Sequence, residues 1–201
     1  MTKTMIVFDH PYGAQACNNE SHNRSFSAAL CKRITDTERE RGATVDLADL
    51  DADGFDPAMS KEDLANWRKG VPMNAQVADY QRRMLEADRI VFVFPVWWEL
   101  MPARTKGFLD KVYAKNLLYS QSEDGRSMKT RLKSNAEVFA VTTMGTPKAL
   151  YGLVFGKPVV KALSVGLCRK TGIAKFHWHS FSGVDKMSLD ERRKLLEGFK
   201  L

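Results

Sequence analysis

Short runs of apolar, β-branched and aromatic residues alternate along the chain with longer stretches whose apolar positions recur at helical spacing. Arg89 to Phe94 is apolar after its first residue, the pattern of a strand buried on both faces of a parallel sheet, and it reads as the central strand. Pro95 cannot donate to a ladder, so that strand is expected to stop there. Pro102 suits the first turn of a helix predicted over 102–115. Thr4 to Phe8, Thr44 to Leu50, Ala136 to Val141 and Lys175 to Phe181 supply the other strands. Helices are predicted over about 25–41, where Gly42 ends the run, over 74–86 and 159–170, and after a capping box made by Ser188 and Glu191. Strand and helix in alternation predict one α/β domain over 1–201: a doubly wound, five-stranded parallel sheet in the order 2-1-3-4-5, with helices on both faces.

Two segments break the pattern. Residues 51–73 hold Gly54, Pro57, Gly70 and Pro72 around a short helical piece near 61–67, which reads as an ordered excursion covering a site or a partner, with Phe55, Met59 and Trp67 exposed. Residues 116–135 turn polar and read as a mobile surface loop.

At 201 residues, such a domain can hide ~70% of its unfolded surface without staples. Cys17, Cys31 and Cys168 are scattered, with no CxxC pair, which argues against disulfides and zinc and for a reducing cytosol. The chain runs almost at once into its first strand, and no apolar run approaches the roughly 18 to 20 residues of a membrane helix, so a cytoplasmic protein without membrane insertion is expected. A net charge of +7 favours anionic ligands. The basic clusters Arg82-Arg83, Lys129 to Lys133 and Arg192 to Lys194 are interleaved with acids and read as solvated faces. No nucleic-acid-binding signature accompanies them. His177 and His179 lie two apart on the last strand but lack a third ligand, so no metal is expected.

Candidate chemistry gathers at the carboxyl edge of the sheet, where ligands sit in open α/β folds. The loop between Pro95 and Pro102 carries adjacent indoles, Trp97 and Trp98, an uncommon surface load that suits a flat aromatic ligand. Thr142-Thr143-Met144-Gly145-Thr146-Pro147 is a second loop of mainly small, turn-forming residues that lets backbone N–H groups approach a ligand. Ser25-Phe26-Ser27 opens the first helix, where a phosphate and a helix cap use the same geometry.

These fragments together resemble the flavodoxin-like NAD(P)H:quinone oxidoreductases. The resemblance rests on His10-Pro11, Ser25 to Ala29, Asp49-Leu50 with Phe55-Asp56-Pro57, Ala87-Asp88, Phe94 to Trp98, Met101-Pro102-Ala103, Lys106 to Val112, and Thr142-Thr143 with Tyr151, in family order over residues 4 to about 160. It implies a flavodoxin-like fold, a non-covalent flavin (FMN or FAD), hydride from NADH or NADPH, and two-electron, ping-pong reduction of quinones or similar flat acceptors by a homodimer whose subunits meet through the helix after Pro102 and the 51–73 excursion. The family's phosphate site falls on His10, Ser25, Phe26 and Ser27. Its flavin-ring site falls on Pro95, Val96, Trp97, Trp98, Thr142, Thr143, Gly145 and Tyr151, the last as the catalytic candidate, although Tyr151 reads equally as a helix-start residue.

The chain departs from the family at three places. Asn18, Asn19, His22, Asn23 and Arg24 lengthen the first loop, Met144 replaces a common glycine, and Lys157 stands where a proton-relaying histidine occurs in mammalian members, so a Tyr-His relay is absent. Some family members serve instead as ancillary subunits of potassium-efflux transporters, which is the alternative reading. An electron-carrier flavodoxin fits the positive charge less well.

Overall fold

The computed structural model describes residues 1–18 and 24–201. Its main sheet is built from β1 (Lys3–Phe8), β2 (Thr44–Asp49), β3 (Arg89–Pro95), β6 (Glu137–Met144) and β7 (Lys175–Ser182), all parallel, in the order β2-β1-β3-β6-β7. This is the five-strand order the sequence predicts, 2-1-3-4-5, with a small hairpin inserted between the third and fourth strands. The period-two alternation of each strand divides its side chains between two cores. Met5, Val7, Ile90, Phe92, Phe94, Val138 and Ala140 face one side, under α3 (Ala75–Glu86) and α4 (Ala103–Val112). Ile6, Phe8, Val91, Val93, Phe139 and Val141 face the other, under α1 (Phe26–Glu40), with α7 (Leu189–Gly198) packed beside it.

The helices begin where capping chemistry allows. Ser25 caps α1 by accepting from the Ala28 N–H, and Asn74 does the same for α3 through Val77. Ser188 and Glu191 form the expected capping box of α7, and Ser60 with Asp63 forms a second one opening α2 (Lys61–Lys69). Pro102 offers α4 no capping side chain, and the helix ends at Val112, sooner than predicted.

Four readings are corrected. Residues 116–135 are not simply a mobile loop: β4 (Tyr119–Gln121) and β5 (Met128–Thr130) pair as an antiparallel hairpin, because Leu118, Tyr119 and Leu132 are buried and Tyr119 stacks on Tyr113. The fourth long strand runs on through Met144, so Thr142 and Thr143 belong to β6 rather than to the loop after it, paired with Phe94 and Pro95 of β3 and Ser180 and Phe181 of β7. Phe55 is buried against Tyr80 and Phe108, and Trp67 is half-buried, leaving only Met59 of that trio exposed. Arg83 and Arg192 are not freely solvated. Arg83 makes a two-nitrogen contact with Asp46, and Arg192 is described below.

The 51–73 excursion is ordered by α4. The buried Lys111 ammonium donates to the Asp56 and Ala58 carbonyls (3.1 and 2.9 Å) and lies 3.3 Å from Asp63. Gly107 permits that approach, since a Cβ there would fall 2.4 Å from Pro57 Cα. Beyond β6, α5 (Lys148–Leu153) is followed by α6 (Pro158–Lys161), which runs into a π-helical stretch over Ala162–Arg169. Among the described residues no helix is long and apolar enough to cross a membrane.

Candidate active site

The carboxyl edge of the sheet divides into two regions. On the α1 side, a cavity of about 340 Å³ lies between the start of α1 and α7, lined by Cys17, Arg24, Ser25, Phe26, Arg192 and Arg193 among others. The Phe26 and Ser27 N–H groups, in the first turn of α1, make no backbone hydrogen bond among the described residues, as expected of donors at a helix start. Arg192 donates through one terminal nitrogen to the Asp185 carbonyl (3.2 Å), while its Nε is buried and unpaired among the described residues. The spacing Leu189, Arg192, Arg193, Leu196 sets both arginines on the stripe that packs toward α1, a signal that charge interleaving alone conceals. Of the predicted phosphate residues, Ser25 and Phe26 line this cavity. Ser27 lies buried behind them, its hydroxyl 2.9 Å from that of Thr143, which joins α1 to β6. His10 lies outside the lining, where it accepts the Tyr12 N–H at Nδ1 (3.2 Å). Burial pushes its imidazole below the usual range, against the pull of Asp9, Asp51 and Asp49. Asn19, His22 and Asn23 fall outside the described residues.

On the other side, Trp97 and Leu100 exchange two backbone hydrogen bonds of 2.9 Å around a two-residue turn. Both central residues have positive φ, Trp98 at 48° and Glu99 at 62°, in a turn type that normally calls for Gly, Asn or Asp. Trp98 is 94% exposed and Trp97 56%. Side chains hold this strained turn in place. Glu99 Oε1 accepts from the Thr146 hydroxyl at 2.6 Å, drawing the two predicted loops together, while Oε2 is buried with no partner among the described residues. The fully buried Tyr151 hydroxyl donates to the Glu99 carbonyl (3.1 Å) and accepts the Val159 N–H (3.2 Å), and burial raises its pKa above the usual phenol value. Pro95 ends β3 beside Thr143 of β6, and the Val96 N–H leading into the turn donates to the Thr143 carbonyl (2.8 Å). Thr142 points away from Ser27 and Thr143, accepting the Trp178 indole N–H at 3.0 Å. Gly145 is exposed with an ordinary φ, and its N–H makes no hydrogen bond among the described residues.

Lys157 adopts a left-handed conformation and is exposed. The contacts made by Glu99, Thr146, Arg192 and Lys111 escape the sequence reading. Glu99, Thr146 and Lys111 work by pairing with residues remote in sequence, which no local pattern records, whereas the helical spacing around Arg192 carries its placement.

The family model described as flavodoxin-like fold matches residues 2–199. An uncharacterized NAD(P)H oxidoreductase of Haemophilus influenzae is 29% identical over 195 residues, covering 96% of this chain and 90% of that protein. The ribosyldihydronicotinamide dehydrogenase [quinone] of Pongo abelii is 27% identical over 160 residues, 72% of this chain, and the match spans 64% of the relative's length. Among solved structures, an FMN-dependent NADH-azoreductase of Bacillus anthracis, in complex with FMN, shares the fold with a TM-score of 0.69 at 19% identity, covering 98% of this chain and 97% of that one.

Proposed function

The chain belongs to the flavodoxin-like fold family, and from that membership we propose that it is a flavin-dependent NAD(P)H oxidoreductase acting on quinones or similar flat acceptors. The observation that carries the reading is the juxtaposition at one sheet edge of an arginine-lined cavity at a helix start and a tryptophan-bearing turn that follows Pro95 and Val96. The donor set fits a flavin nucleotide. The α1 N-terminus with Ser25, Phe26 and Ser27 would hold phosphate, and Trp97, Trp98, Gly145 and the Pro95-Val96 segment would hold the ring. We further propose FAD over FMN, because the cavity continues past the helix start to Arg192 and Arg193, whose guanidinium charges suit a second phosphate.

A flavin bound here supplies two-electron hydride chemistry between nicotinamide and acceptor. The chain's own task is orientation and charge. Trp97 and Trp98 would border a single flat slot over the ring that nicotinamide and acceptor enter in turn, the arrangement that makes the order ping-pong. Fixed N–H donors at Gly145 and Thr146 stabilise negative charge that develops beside them. Tyr151 is assigned a positioning role, because both of its hydroxyl hydrogen bonds go to backbone. We also propose a homodimer. Leu153 is 88% exposed, with Val154 and Phe155 also exposed beside it, an apolar patch next to the site that a second copy would cover.

The test is direct. The purified protein should be yellow or take up added FAD, NADH or NADPH should bleach it, and a quinone should restore the colour. Protein that binds neither FAD nor FMN would end this reading and favour the regulatory alternative. Sedimentation at micromolar concentration should give a dimer, and a fully active monomer would remove the shared patch from the proposal.

A further inference from the structure

A second cavity, of about 320 Å³, opens on the α3/α4 side of the sheet edge, between the β1 loop, the Phe55–Pro57 turn and the Trp97 turn. Phe55, Pro57, Pro95, Trp97 and Pro102 give it flat apolar walls, the usual make-up of a small-ligand site, which needs only a few polar groups to fix orientation. Asp9 is one such group. It lines the cavity yet is 3% exposed.

Burying a carboxylate is costly, so its partners have to be accounted for. Oδ2 accepts both the Thr105 N–H (2.7 Å) and the Thr105 hydroxyl (2.8 Å), which supplies α4 with the cap that Pro102 lacks. That task uses one oxygen, and a neutral side chain could perform it. Oδ1 has no hydrogen-bond partner among the described residues. Two charged or titratable groups face it: Arg104, which is committed to Asp51 at 2.9 Å, and His10. Burial raises the carboxyl above its ordinary value, opposed first by the Thr105 hydrogen bonds and then by Arg104 and His10.

We propose that this cavity is a subsite for a flat ring bearing a hydrogen-bond donor, a phenol or an aromatic amine, seated against Trp97 and the prolines with its donor on Asp9 Oδ1. The subsite shares Pro95 and Trp97 with the proposed ring site, but it stands on the cavity alone and needs no flavin. The experiment is therefore run on the ¹⁵N-labelled full chain with and without added FAD, so that its failure and a failure of the flavin reading are separable. Phenol and its methyl ether, anisole, are titrated while the Trp97 indole N–H resonance, assigned through Trp97→Phe, is followed. Phenol should shift that resonance saturably and bind about tenfold more tightly than anisole, the scale of a hydrogen bond to a charged acceptor. Asp9→Asn keeps an oxygen for Thr105 while presenting a donor to the cavity, and should bring the two ligands within about twofold. Equal binding of phenol and anisole to the unmodified chain, no saturable shift at Trp97, or an undiminished preference in Asp9→Asn would each overturn the assignment. The first two readouts hold even if the variant does not fold.

Discussion

The two halves of the candidate site are built in opposite ways. On the α1 side no non-glycine residue among those described takes a positive φ, Ser25 caps its helix in the ordinary manner, and the binding character comes from the N–H groups of the first turn and the arginines of α7. On the tryptophan side the backbone is strained at two consecutive residues, and side chains restrain it: Thr146 on Glu99 and Tyr151 on the Glu99 carbonyl, while Lys111 holds the excursion that faces Trp97 across the second cavity. Charge suffices to hold a phosphate because the interaction is long-ranged and tolerant of geometry. A ring that must meet a nicotinamide face to face needs positional accuracy, and strain held by remote partners provides a single fixed geometry.

The largest test of this contrast removes a restraint. Lys111→Ala deletes a buried ammonium and leaves two carbonyls and Asp63 without it, so it should cost about 3 kcal/mol in urea unfolding. If the loss stays below about 1 kcal/mol, the 51–73 excursion is held by packing rather than by this ion. Arg192→Ala acts on the tolerant half. It should weaken FAD binding by about 2 kcal/mol in a calorimetric titration, leave FMN binding nearly unchanged, and barely alter Tm. Equal losses for both flavins would place the arginine elsewhere than beyond the first phosphate.

Tyr151→Phe should cost about 1 kcal/mol of stability, through the lost bonds to Glu99 and Val159, and slow single-turnover flavin reduction by NADPH about tenfold while flavin is retained. Abolished reduction with unchanged stability would make the phenol a proton donor instead. The smallest effect is a gain. Trp98→Gly relieves a left-handed non-glycine residue at the expense of unfolded-state entropy, so a net stabilisation of about 0.5 kcal/mol is expected in thermal unfolding, with hydride transfer slowed by the missing indole. A destabilised Trp98→Gly would mean the indole packs against something in solution, and the dimer partner is the first candidate.

Much of the molecule is legible without coordinates. The apolar runs and their spacing determine the five strands, their parallel arrangement and the helices between them, because burial on both faces of a sheet permits few other patterns. The two prolines bound the tryptophan loop, and Ser25 and Ser188 mark helix starts, since caps and proline limits are properties of a few adjacent residues. The tertiary structure alone decided the rest. Leu118, Tyr119 and Leu132 turn a polar stretch into a hairpin, and Phe55 is drawn inside because Gly107 lets Pro57 close onto α4. The Glu99–Thr146, Tyr151–Glu99, Asp9–Thr105 and Lys111–Asp56 bonds join residues 47 to 96 positions apart. Local pattern reports which face of an element is buried; it carries no record of which distant group a polar side chain will meet, and at this site those meetings set the geometry.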